Sequence, residues 1–226
     1  MLNTVDYYEI IKATINYHYI NEIEDATQVT ELSVDKGAQS SFNIQYRSGI
    51  GTTRILIQNN IRTTVFDFNQ SYIKDNLSKD DTYFEVPVDD NFIQGLHPNK
   101  RIPPYMDRIG YAYLENSVQP LQNNSKLLEE LISKQENWKI QEKTIYLNRA
   151  CLLINANITL YTHNIITQAQ ILVDEETGLI LKSELYDSNN MLSNSTIVTE
   201  LKINEQIPAH TFTLDLTNLT EIKSDN

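Results

Sequence analysis

The chain reads as a mainly β protein with a few helices, an α+β fold organised as one large curved antiparallel sheet. Three observations carry this reading. Apolar and polar residues alternate over most of the chain, the period-two pattern of strands with one face buried. The alternating runs are separated by short turn signals, Asp35-Lys36-Gly37, Ser48-Gly49-Ile50-Gly51 and Ser188-Asn189-Asn190 among them, so successive strands pair antiparallel. Helical spacing is confined to two short stretches, Val5–Tyr19 and Ser125–Lys134.

Taken in order, Asp6 caps the first stretch, and Tyr7, Ile10, Ile11, Thr14 and Ile15 recur at helical spacing, which predicts a helix laid on a sheet. From Asn21 the period becomes two. Strands are predicted at Asn21–Val34, Ser41–Arg47 (Phe42, Ile44 and Tyr46 on one face), Thr52–Gln58 (Ile55 and Ile57) and Ile61–Phe68. Residues 69–126 are less regular. A polar loop at Asp75–Asp81 and prolines 87, 98, 103 and 104 interrupt any central strand there, and a long excursion of this kind is often a lid or binding loop. Ser125–Lys134 is a short amphipathic helix with Leu127, Leu128, Leu131 and Ile132 on its apolar side. Strands return at Trp138–Leu147, Ala150–Tyr161, Thr167–Asp174, Leu179–Asp187, Thr196–Asn204 and His210–Leu216. The total is about nine or ten strands in two antiparallel blocks.

The 226 residues suit one β-rich domain, placed at 1–216, with 217–226 a polar C-terminal tail expected to fray. Hydrophobic residues make up 40% and mean hydropathy is −0.40, which fits a soluble protein with a core of its own. Acids outnumber bases 30 to 18, for a net charge of −12. Neutralising phosphates requires the opposite surplus, so a nucleic-acid partner is excluded and electrostatic docking on anionic lipid is disfavoured. No run approaches the roughly 18 apolar residues of a membrane span. The N-terminus has no basic region followed by an apolar one.

Chemistry-bearing motifs are few. The single cysteine, Cys151, lies beside Leu152-Leu153-Ile154 and reads as a small buried side chain. His18, His97, His163 and His210 have no metal-site spacing, and no Gly-x-Ser-x-Gly is present, so neither a metal site, a cofactor nor nucleophilic catalysis is predicted. Asp89-Asp90 and Glu175-Glu176 sit where turns and loops keep acids solvated. The protein is therefore read as a non-enzyme.

The C-terminal block resembles a known family. Trp138-Lys139-Ile140, the run Leu147–Ile154, the hairpin Ile171-Leu172-Val173-Asp174-Glu175-Glu176-Thr177-Gly178-Leu179-Ile180-Leu181-Lys182, the pair Tyr186-Asp187 followed by Asn189-Asn190, and Ile207–Phe212 resemble successive strands of LolA/RseB-like proteins, including the extracytoplasmic lipoprotein members of Gram-positive bacteria. In these, a strand ending in Val-Asp precedes a Thr-Gly turn and a strand carrying Leu-Lys, and a later Phe closes the sheet. Residues 138–212 carry the resemblance, and the N-terminal meander is compatible by topology. Two family glycines are replaced here by Asn148 and by Asn189-Asn190, residues that tolerate positive φ. No lipobox cysteine is present.

The resemblance implies a half-open β-barrel with helices over an apolar concavity, and no catalytic residues. It implies an extracytoplasmic protein, membrane-anchored through a segment outside this sequence, that holds a lipid or acyl chain or an envelope protein partner. The expected apolar lining is Ile55, Ile57, Leu152, Ile154, Ile171, Val173, Leu179, Leu181 and Phe212, with the hairpin setting the register. Tyr105, Tyr111 and Tyr113 are a candidate partner surface. The same stripes also read as plain core. The alternative is then an interaction or regulatory factor, of adaptor, immunity or stress-sensing type, with a filled interior.

Overall fold

The computed structural model describes residues 8–20, 25–59, 61–76, 127, 131, 135–161 and 165–223. Among the described residues, twelve strands form a single open, curved sheet. They are β1 (Ile10–Ile20), β2 (Asp25–Asp35), β3 (Ser40–Arg47), β4 (Gly51–Gln58), β5 (Ile61–Phe66), β6 (Ser71–Asn76), β7 (Trp138–Tyr146), β8 (Arg149–Tyr161), β9 (Ile165–Asp174), β10 (Ile180–Asp187), β11 (Leu192–Ile203) and β12 (Thr220–Glu221). Their order is β12-β6-β5-β4-β3-β2-β1-β11-β10-β9-β8-β7. Two meanders, β1–β6 and β7–β11, are thus joined where the first strand of one pairs antiparallel with the last of the other, Ile11 opposite Ile203 and Tyr19 opposite Asn194.

The sheet curls. Tyr146 on β7 donates its hydroxyl hydrogen to the carbonyl of Val198 on β11, at 2.7 Å. Those strands are four steps apart, about 19 Å in a flat sheet, beyond the reach of a tyrosine. The side chains inside the curl form one apolar cluster: Ile11, Ala13, Ile15, Leu32, Val34 and Ile57 from the first meander meet Cys151, Leu172, Leu179, Leu181 and Val198 from the second. A second cluster holds Ile154, Ala156, Ile158 and Leu160 of β8, Ile166, Ala169, Ile171 and Val173 of β9, and Ile180 and Leu185 of β10, with Leu127 and Leu131. Successive strand side chains point to opposite faces. Leu172 belongs to the first cluster and its neighbours Ile171 and Val173 to the second, so β9 is buried on both faces. One-sided burial, expected from the alternation, does not hold here.

Several elements differ from the sequence reading. The predicted helix at Val5–Tyr19 is strand β1 over its described part. Ile11, Ala13 and Ile15 are buried and Lys12 and Asn16 exposed, a period of two. Ile11 and Ile15 suit either reading, because a spacing of four keeps residues on one side of a strand as well as of a helix. Ile and Tyr, only middling helix formers, do not settle the choice; pairing with β2 on one side and β11 on the other makes it a strand. β6 lies in the stretch read as irregular. His210–Leu216 is not a strand: Ala209–Phe212 is a 3-10 turn following Pro208 at φ −57, and the residues after it are irregular. The tail expected to fray returns to the sheet as β12, parallel to β6. Of the helix predicted at Ser125–Lys134, Leu127 and Leu131 are described, and both are helical. The loop at Asp89-Asp90 and the tyrosine-rich excursion lie outside the described residues.

The turns follow local chemistry. Leu147 and Asn148, at φ 50 and 60, are the two central residues between β7 and β8, as a hairpin turn of type I′ requires. Asn190 has φ 60. Asparagine thus supplies the left-handed conformation at both places where the resembled family has glycine. Gly51 combines φ +116 with Phe68 Cβ only 3.3 Å from where a Cβ would stand, so a side chain there would be strained twice over.

Candidate functional site: the apolar face of β8–β10 and its turn lock

The β9–β10 hairpin is locked at its turn. Asp174, 1% exposed, accepts hydrogen bonds from Arg149 Nε at 2.8 Å and Nη2 at 3.0 Å. It also accepts from the Thr177 backbone N–H at 2.8 Å and from the Thr177 hydroxyl. Asp174 N–H donates to Leu179 O at 2.8 Å, and Gly178 N–H to Asp174 O at 2.8 Å. Burial alone would raise the Asp174 pKa, but the bonds from Arg149 and Thr177 outweigh it and hold the carboxyl below the usual carboxylate range. Arg149 is pushed up in turn, chiefly by its bond to Asp174. Glu176 accepts from Arg149 Nη2 at 2.7 Å and Glu175 from Lys143 Nζ at 2.5 Å. The acidic pair is therefore spent on ion pairs around a turn. Cys151 is fully buried beside it, its thiol pushed up first by burial and then by Asp174.

The lock sets which side chains enter which face. Val173 stands opposite Ile180, and a bulge follows before Lys182 meets Leu172. Ile180 therefore joins Ile171 and Val173, whereas Leu179 and Leu181 turn into the curl. The hairpin residues expected on one concavity are divided between two faces.

The other expected lining residues divide as follows. Ile57 is fully buried in the curl with Leu179 and Leu181, and Ile55 packs beside them half-buried. Ile154, Ile171 and Val173 lie together in the second cluster. Leu152 is half-buried, opposite Val173. Phe212 stands apart from both groups, buried on the 3-10 turn, which packs on β3. Tyr105, Tyr111 and Tyr113 lie outside the described residues.

On the second face the stripe has a low centre. Ala156 and Ala169 are direct cross-strand partners, flanked by Trp138 opposite Ala156 and Leu185 opposite Ala169. Leu127 and Leu131 cover this stripe from outside the sheet, 1% and 3% exposed. The Trp138 indole N–H donates to Leu131 O at 2.7 Å. Trp138 is the contact that the sequence reading missed. As the only tryptophan, at the start of β7 and a few residues beyond the Leu-rich run, it was the available signal.

Among the described residues, no group of three or more His, Cys, Asp or Glu could hold a metal ion. His18 Nε2 lies 2.7 Å from Asp25 Oδ1 in an exposed pair. No helix among the described residues is long and apolar enough to cross a membrane.

The class defined by these observations is an open, curled and mainly antiparallel β-sheet domain with one apolar face covered from outside the sheet. No family model and no curated protein matches the chain. Among solved structures, an uncharacterized conserved protein from Thermus thermophilus matches over 98% of this chain and 97% of its own, at TM-score 0.50 and 7% identity. The MucA/MucB complex of Pseudomonas aeruginosa matches over 98% of this chain and 60% of that one, at TM-score 0.48 and 10% identity. The Mycobacterium tuberculosis lipoprotein LppX matches over 92% of each chain, at TM-score 0.43 and 9% identity. LolA superfamily proteins are among the further matches. At these identities the likeness is one of fold.

Proposed function

We propose that the chain is a non-catalytic binding domain that holds an apolar or lipidic ligand such as an acyl chain against the face of β8–β10. The observation that carries this reading is the stripe running from Leu160 to Ile154 and from Ile166 to Val173. Its low centre is the Ala156–Ala169 pair, and its cover comes from outside the sheet in the form of Leu127 and Leu131. Apolar pockets with few polar groups suit ligands of this kind. Of the expected lining, Ile154, Ile171 and Val173 belong to this site, with Leu152 at its end. Its place of action is outside the cytoplasm, at the cell envelope. The sequence resemblance supports that placement.

Trp138 reports on the site, because its ring packs against the stripe and its N–H is bonded to the cover. A brominated fatty acid that enters the stripe should quench Trp138 fluorescence saturably, and native mass spectrometry of the purified chain should show adducts of lipid mass. Absence of both would refute the ligand. A second reading, an interaction or regulatory factor with a filled core, is favoured by one observation: Leu127 and Leu131 already occupy the stripe with the chain's own side chains. Under it Tyr105, Tyr111 and Tyr113 serve a protein partner, and cross-linking at those positions to an envelope protein, with no lipid recovered, separates it from the first.

A further inference from the structure

The two edges of the sheet are managed differently. β7 carries Lys139, Glu142 and Lys143, with a register shift between Ile140 and Glu142. Charges and bulges of this kind blunt an edge against further pairing. The edge of β6 is instead covered by the chain itself. Thr220 stands beside Ser71 and Glu221 beside Tyr72, the one parallel ladder among the described strand pairs. Thr220 N–H donates to Gln70 O at 3.0 Å and Ile222 N–H to Tyr72 O at 2.8 Å. Tyr72 Oη donates to Glu221 Oε2 at 3.3 Å.

This cover is short, and parallel pairing is the weaker kind per residue. It ends at Glu221, although β6 continues to Asn76. No described strand lies beside Ile73–Asn76 on that side. The register gives a reason. One more pair would set Ile222 beside Ile73, and the next would set Lys223 beside Lys74. Like charges directly across a ladder are destabilising. Lys74 shares its side of β6 with Tyr72, its Nζ 5.5 Å from the ring centroid, so a side chain following Glu221 by two would meet it.

We propose that the outer edge of β6 is a strand-addition site for an extended segment of a protein partner bearing an acidic residue where this chain has Lys223, and that the C-terminal strand is its displaceable cover. Such a segment makes the backbone bonds that β12 makes, gains a charge pair with Lys74, and continues along Lys74–Asn76. The cover holds the edge at an effective concentration of about millimolar, so a partner must win by those added pairs. The site is independent of the apolar face.

The test uses the full chain carrying Ile222→Pro, which lacks the N–H that bonds Tyr72 O. The probes are two synthetic peptides of residues 217–226, one in the native sequence and one with Lys223→Glu. The Lys223→Glu peptide should bind about three- to tenfold more tightly, as a charge pair replaces a like-charge pair. Adding Lys74→Glu to the chain should reverse the order. Equal affinities, no reversal, or no binding of either peptide overturns the proposal. If Ile222→Pro perturbs the fold, as judged by Trp138 emission, the unmodified chain serves. At about millimolar Lys223→Glu peptide, hydrogen exchange at the Thr220 and Ile222 amides should rise as the cover leaves. Unchanged exchange overturns the proposal.

Discussion

Replacing Asp174 with alanine removes the acceptor on which the β9–β10 turn is built. The side chain is 1% exposed and receives both Arg149 Nε and Nη2, the Thr177 N–H and the Thr177 hydroxyl. Without it these four donors lose their acceptor. Breaking a buried ion pair costs about 3–5 kcal/mol, and each orphaned buried donor about 1–3 kcal/mol. Arg149 is 22% exposed and keeps Glu176, so part of its loss returns through water and that second carboxylate. Thr177, 2% exposed, has no such relief. The expected net loss is about 3–4 kcal/mol, a large share of the roughly 5–15 kcal/mol that holds a typical domain together. Urea unfolding at neutral pH, followed by Trp138 emission, measures it. A loss below about 1 kcal/mol at unchanged m-value would refute the turn as a lock. Acid supplies a second arm. The folded-state pKa of Asp174 lies below its unfolded value. Its contribution is therefore full above the unfolded pKa, near about 3.9, and is lost as pH falls through the lower folded value. The stability gap between the native chain and Asp174→Ala should accordingly shrink below about pH 4.

Three further outcomes are expected. Leu131→Ala should destabilise by about 2–5 kcal/mol through the cavity it opens over the Ala156–Ala169 floor, with a red shift of Trp138 emission. If the stripe holds a ligand, the same change should strengthen brominated fatty-acid quenching. Asn148→Gly should leave stability unchanged or raise it slightly, whereas Asn148→Val, β-branched at φ 60, should cost about 1–2 kcal/mol in thermal unfolding. Cys151, fully buried with its thiol pushed up, should react with a thiol reagent only in denaturant; modification of the native chain at the rate of a free thiol would contradict its placement.

Much of the fold was legible locally. Alternation placed β2–β5 and β7–β11, because a strand with a buried face writes its period into the residues. The Val-Asp-x-x-Thr-Gly turn announced the β9–β10 hairpin, because an Asp–Thr turn needs only neighbouring residues. What misled was pattern shared by two structures. Ile11 and Ile15 suit helix and strand alike, and only β2 and β11 on either side decide for the strand. β6 and β12 were illegible because a short strand is made by its neighbour: Ser71-Tyr72 and Thr220-Glu221 carry little pattern until the edge brings them together.

For the candidate site, the sequence by itself determined which side chains are apolar and that Asp174 begins a turn. Tertiary structure decided which of them share a face. The turn pairs Val173 with Ile180, which sends Leu179 and Leu181 into the curl and leaves Ile171, Val173 and Ile180 under Leu127 and Leu131; the bulge before Lys182 then turns Leu185 back to join them opposite Ala169. Side-chain direction reverses at every residue of a strand, so one extra residue in a ladder redistributes a hydrophobic set that composition and spacing leave unchanged.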